Sequence, residues 1–215
     1  MKSIVILISG RGSNMAAILR AKLPLAIKAV ISNRPDAGGL ATAKTAGIPV
    51  RALDHKLFAT RAAFDEALAT SIDEFSPDYI VLAGFMRVLT EVFIARYPNR
   101  IVNIHPSLLP SFPGLHTHRQ ALQAGVKIHG ATVHFVTPQL DHGPVIIQAA
   151  VPVLADDNED ALATRVLLQE HRIYPQALAW LAADRVTISP DGVVHIRPLR
   201  VVPDSGARHL IAPEE

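Results

Sequence analysis

Residues 79–83, Tyr-Ile-Val-Leu-Ala, carry no charged residue and no polar alternation. A strand with one face in water alternates apolar and polar side chains. An unbroken apolar run suits a strand covered on both faces, as in a parallel sheet flanked by helices. The chain before this run has the matching period. Ser3–Ile8 reads as a buried strand, residues 13–21 as a helix opened by Ser13 or Asn14 as its cap, and 27–31 as a second strand. A helix over 40–46, ended by Gly47, and a short strand over 50–53 follow. Residues 61–75 predict an amphipathic helix with Ala63, Ala67, Ile72 and Phe75 on its inner face. Residues 91–97 read as a helix and 101–104 as a fifth strand.

The pattern then changes. After a helix over 116–124, the apolar runs 131–136 and 145–153 are joined by a loop alone, which is too short for a parallel crossover, so antiparallel strands are expected. A long helix over 160–182 and a hairpin over 186–189 and 193–196 complete the regular pattern. The fold class expected is α/β: a single-domain, Rossmann-like, mostly parallel sheet with antiparallel strands added in the C-terminal half. The domain should span 1–203, with 204–215 a flexible tail lacking periodicity.

At 215 residues and 49% apolar content, the chain can bury one good core. No apolar run is long enough to span a bilayer, so no membrane partner is expected. The apolar start runs straight into a glycine turn, reads as a strand rather than an export signal, and points to the cytoplasm. The absence of cysteine removes disulfides, thiolate metal sites and cysteine nucleophiles. With a net charge of +2, and lysines and arginines spread singly, no nucleic-acid partner is expected. A small anionic ligand needs only a few local positive groups. Nothing in the composition distinguishes a monomer from a homodimer.

"SGRGSNMAA" follows the first strand and opens the first helix, where glycines let a backbone approach an anion and helix N–H groups face it. A dinucleotide fingerprint is incomplete: Gly10 and Gly12 fit, but Met15 takes the third glycine position. The second strand ends in Ser32-Asn33 rather than an acidic residue. Arg34 keeps an NADP-binding module as an alternative. No Walker lysine follows. A Gly-Ser-Asn loop suits a single phosphomonoester, or simply a capped helix with no ligand.

"NIHPSLLP" places Asn103 and His105 two positions apart at the end of a strand, so both side chains point to one side if the extended geometry holds. Pro106 keeps His105 out of the helical region. An amide donor beside an imidazole suits a developing oxyanion and a proton to be delivered. Asp141, in the loop between the two later strands, could favour the charged imidazole. Each has an ordinary alternative: Asn103 capping a turn, His105 bonding a carbonyl, Asp141 starting a β-turn. His116, His118, His129 and His134 are numerous, but no acidic residue stands at metal-site spacing, and no metal is expected.

Together "ISGRGSN" (8–14), "VLAGFMRVL" (81–89), "NIHPSLLPSFPGLHTHRQAL" (103–122), "HGATVHFVTPQLDHGPVI" (129–146) and "QEHRIYP" (169–175) resemble the phosphoribosylglycinamide formyltransferases, within the folate-dependent formyltransferase family. The resemblance implies a Rossmann-like fold and transfer of a formyl group from 10-formyltetrahydrofolate, a co-substrate, to the amine of glycinamide ribonucleotide in purine biosynthesis. It carries phosphate binding to Gly12, Ser13 and Asn14. Folate contacts fall on Arg61, Met86, Arg87, Val88, Leu89, Asn103, Thr137, Leu140 and Asp141. The catalytic trio falls on Asn103, His105 and Asp141, and a contact to the glycinamide end on Glu170. A formyltetrahydrofolate hydrolase, or another formyltransferase with the same core, is the alternative.

Overall fold

The computed structural model describes residues 1–197 and the backbone of 211–212. Contacts divide the chain into two units: Met1–Asn103 with Phe135–Pro138, and Ile104–His134 with the described residues from Gln139 on.

In the first unit, β1 (Ser3–Ile8), β2 (Ala26–Ser32), β3 (Val50–Ala52), β4 (Tyr79–Leu82) and the start of β5 (Ile101–His105) pair in parallel, in the order β5-β4-β1-β2-β3. Every residue of β1 is buried, and Ile80 to Leu82 of β4 are buried too, as unbroken apolar runs require. From β1 the chain winds outward through β2 to β3, then returns to place β4 on the other side of β1. The loops after β1 and β4 therefore flank the point where the winding reverses, which is where open α/β sheets bind ligands.

Four helices connect these strands: α1 (Ser13–Arg20), α2 (Gly38–Thr45), α3 (Arg61–Asp73) and α4 (Glu91–Arg96). Two details depart from the sequence expectation. The cap of α1 is Gly12 in the left-handed region, not Ser13 or Asn14, so those two residues enter the helix itself. The buried face of α3 is Phe64, Leu68, Ala69 and Ile72 with Asp65, and Ala63 is exposed. The bulkier side chains at i, i+4 and i+8 won the core over the alanines, because burial free energy scales with apolar area. Thr60 and Thr90 cap α3 and α4 through their hydroxyls, onto Ala63 N at 3.1 Å and Phe93 N at 3.3 Å.

The second unit holds α5 (Thr117–Ala124), β6 (Ile128–Phe135) up to His134, β7 (Val145–Pro152), the 24-residue α6 (Glu159–Ala182) and a hairpin of β8 (Val186–Ile188) with β9 (Val194–Ile196). β6 and β7 run antiparallel from Ile128↔Pro152 to His134↔Val145, as their short connection demands. The tail expected over 204–215 lies outside the described residues except for β10 (Ile211–Ala212), whose backbone pairs antiparallel with Gln148 and Ala149 of β7. No helix among the described residues is long and apolar enough to cross a membrane.

Candidate active site

The loop after β1 is built for close approach. Gly12, at φ 73°, turns the chain into α1, and a Cβ there would lie 3.2 Å from the Gly39 backbone and 3.1 Å from Met15 Cε. Gly39 N donates to the Gly10 carbonyl at 3.0 Å, so the start of α2 braces the loop from behind. The first intrahelical bond of α1 is Ala16 N to Gly12 O at 2.9 Å, so earlier amide groups have no acceptor within the helix. These amides border a cavity of about 460 Å³, whose lining includes Gly12, Ser13, Asn14, Asn33, His55, Met86 and Arg87. The predicted phosphate loop and the first half of the predicted folate stretch thus share one cavity. Arg34 also lines it, but its guanidinium is paired with Asp36 at 2.8 Å on the surface, which leaves it poorly placed for a ribose 2′-phosphate.

In the second unit, His105 ends β5 with 5% exposure. Its Nε2 lies 3.0 Å from the Phe112 carbonyl, which can only accept, so that nitrogen carries a proton. Its Nδ1 faces Asp141 Oδ2 at 3.6 Å. Asp141 sits in the left-handed region at φ 53°, a conformation aspartate tolerates better than most residues, with its side chain only 8% exposed. Two further groups hold it: Gly114 N donates to Oδ2 at 2.8 Å, and His134 Nε2 stands 3.9 Å from Oδ1. The structure therefore brings the predicted imidazole and carboxylate together, although 36 positions separate them in the chain.

The remaining candidates divide. Asn103 is partly buried two residues before His105 on β5. Met86 and Val88 expose their side chains, at 72% and 52%, whereas Leu89 packs into the core. Arg87 stacks its guanidinium 4.7 Å above the Phe64 ring. Arg61 is exposed in the first turn of α3 and does not line the cavity. Thr137 lies in the loop after β6, and Leu140 is 52% exposed beside Asp141. Glu170 occupies the buried stripe of α6 between Val166 and Ile173, a site where apolar residues are the norm, and burial with its charge pushes the Tyr174 hydroxyl up. His142 bonds its own loop, Nδ1 to Leu140 O at 2.7 Å.

Sequence reasoning missed Gly114, Phe112 and His134 around the ion pair, and Asn33 and His55 in the cavity wall. For His134 a signal existed: the period of two along β6 puts it on the same face as Thr132. For the backbone groups of Phe112 and Gly114 the sequence carries none.

A model of the formyl transferase family matches residues 2–178. The chain belongs to that family. It is 52% identical over 188 residues to phosphoribosylglycinamide formyltransferase of Escherichia coli (strain K12), covering 86% of this chain and 89% of that protein. Among solved structures it is similar to glycinamide ribonucleotide transformylase 1 from Symbiobacterium toebii, with a TM-score of 0.89, 46% identity and coverage of 92% and 95%. It is also similar to a formyltetrahydrofolate deformylase from Pseudomonas syringae pv. tomato, with a TM-score of 0.85 and 28% identity, covering 92% of this chain and 66% of that one.

This formyltransferase carries a histidine pair beside the His105–Asp141 ion pair. His129 Nε2 lies 3.3 Å from His118 Nδ1, and His129 is 1% exposed. Burial first, then the neighbouring charges of His118 and His105, hold His129 down to about 4. Burial also lowers His118. Between about pH 6.5 and 4 the unfolded chain therefore binds a proton that folded His129 refuses, so stability is fullest above pH 6.5 and falls as pH drops through that window. The loss from His129 alone should be about 3 kcal/mol. Thermal unfolding of wild-type and His129→Gln proteins from pH 7.5 to 4.5 measures it. The wild type should lose ground against the variant across the window, and parallel curves would refute the assignment.

Proposed function

We propose that the chain transfers the formyl group of 10-formyltetrahydrofolate to the primary amine of glycinamide ribonucleotide, acting in purine biosynthesis. Gly12, Ser13 and Asn14 take the phosphate through first-turn amides, and Glu170 addresses the glycinamide end. Met86 to Leu89 read the pterin edge largely through backbone groups, with Arg61, Thr137 and Leu140 contributing further folate contacts. The observation that carries this reading is the buried His105–Asp141 pair on a strand that also bears Asn103. Residues 1–203 form the working domain in this reading, and the cytoplasm is its expected compartment.

In the reaction, the amine nitrogen attacks the formyl carbon to give a tetrahedral oxyanion held by the Asn103 amide and the His105 imidazolium. Both ring nitrogens of His105 face groups that only accept, a carbonyl and a carboxylate, and such a pattern is satisfied when both carry protons. The bond between carbon and N10 then breaks, and His105 supplies the proton that N10 needs once the Phe112 carbonyl releases Nε2. The proton lost from the attacking amine restores the ring, with Asp141 holding the cation in place, so the cycle balances.

Purified protein incubated with 10-formyltetrahydrofolate, with and without glycinamide ribonucleotide, tests the reading. Loss of the formyl group that depends on the acceptor supports it. Acceptor-independent loss would make the chain a hydrolase instead. No loss, with binding of NADPH, would overturn both.

A further inference from the structure

Under the reading above, the backbone of Met86 to Leu89 addresses the donor, so its position must be set to a fraction of an ångström. Its own side chains restrain it only in part: Leu89 is buried and Arg87 stacks on Phe64, but Met86 and Val88 are exposed. The rest of the restraint comes from behind, within the same unit. At the start of the segment, Met86 N donates to Ser9 Oγ at 2.8 Å. The same hydroxyl donates to Asn33 Oδ1 at 2.5 Å, so its lone pair rather than its hydrogen faces Met86. Ser9 also grips the preceding turn through its own N–H, bonded to the Gly84 carbonyl at 3.0 Å. Asn33 is fixed in turn by the His55 ring, whose Nδ1 donates to the Asn33 carbonyl at 2.8 Å. At the far end, Thr90 N donates to Asp65 Oδ2 at 2.7 Å.

These polar groups stand where apolar ones would be expected. Ser9 is 5% exposed and directly continues the fully buried aliphatic run of β1. Asp65 is 3% exposed on the inner face of α3, and among the described residues its Oδ1 has no hydrogen-bond partner. A buried carboxylate with an unpaired oxygen is unfavourable. Among the described residues, its hydrogen bond to another segment goes to the amide closing the stretch Met86 to Leu89. An unpaired buried oxygen costs stability, and what the carboxylate does in return is hold that amide in place.

We propose that Ser9 and Asp65 are positioning residues for the folate-binding segment, fixing Met86 N and Thr90 N from behind, with Asn33 orienting the Ser9 hydroxyl. The inference rests on the proposed donor role of Met86 to Leu89. Ser9→Ala and Asp65→Ala should each weaken tetrahydrofolate binding, measured by calorimetry, by about tenfold. Each should raise the KM for 10-formyltetrahydrofolate similarly, and in Asp65→Ala, whose side chain does not line the phosphate cavity, kcat and the KM for glycinamide ribonucleotide should stay within about twofold of wild type. Ser9→Thr and Asp65→Asn keep an acceptor in place and should restore folate affinity. Amide exchange should quicken at Met86 in the first alanine variant and at Thr90 in the second. The two variants act at opposite ends, so either one carries the test if the other does not fold. Wild-type folate affinity in both alanine variants would overturn the inference, as would an equal loss of affinity for both substrates in Asp65→Ala. A wild-type protein that does not bind tetrahydrofolate at all would instead bring down the donor role itself, and the inference with it.

Discussion

A His105→Ala protein should lose roughly 10²–10⁴ of its formyl-transfer rate, the range for removing a positioned general acid. Asp141→Ala should fall nearly as far, although Asp141 makes no bond to the reacting atoms in the proposed scheme. Its effect runs through the ring: without the carboxylate, Nδ1 loses the anion that stands 3.6 Å from it. The comparison with Asp141→Asn separates two roles. An asparagine can still accept from Gly114 N, which now bonds Oδ2 at 2.8 Å, but brings no negative charge. If charge is what matters, the asparagine variant should be nearly as impaired as the alanine one. If anchoring the loop is what matters, it should recover most activity. Because the two residues act as one device, the double alanine variant should be little worse than the poorer single one. His105→Gln guards against a packing artefact, since it fills the buried site better than alanine and still cannot act as the acid. The measurement is kcat with both substrates saturating, beside a thermal melt. Near-normal turnover in a folded Asp141→Ala protein would falsify the electrostatic role.

What made these residues visible in the sequence was locality. The run over residues 79–83 reports its own burial on both faces. Gly10 to Asn14 declare a loop that can approach an anion, and Asn103 with His105 announce their shared side by spacing alone. The change from parallel to antiparallel pairing was readable because a loop without a crossover allows no other outcome. Asp141 was harder: its position in a loop could be seen, but the 3.6 Å approach to His105 depends on a left-handed backbone and on the amide of Gly114. Backbone groups have no residue identity to read. The same limit hid Ser9 and Asp65, whose partners are the amides of Met86 and Thr90. Periodicity also misjudged the inner face of α3, because it weighted alanines equally with Phe64 and Leu68, although only the larger side chains have enough area to decide which way a helix turns.

Gly130→Ala should destabilise the protein by about 3 kcal/mol or more, at the upper end of overpacking effects, although the substitution adds one methyl group. Gly130 lies on β6 opposite Ala150 of β7, in the middle of their antiparallel pairing. A Cβ at that position would overlap the Ala149 carbonyl oxygen and stand 2.9 Å from Leu108 Cδ2. The leucine tip can rotate away. The carbonyl cannot, because Ala149 is fully buried within the β6/β7 ladder, where Ala131 faces it. Relief therefore requires β6 and β7 to separate locally, which breaks ladder hydrogen bonds in a buried region and leaves their groups unpaired. The disturbance would also reach β6 four residues further on, where His134 flanks Asp141. For a chain of this size the expected fall in Tm is roughly 6–12 °C. Activity measured well below the new Tm should fall less than in His105→Ala, because no reacting group is removed. A Gly130→Ala protein melting with the wild type would show that the two strands are not held as closely as the structure has them.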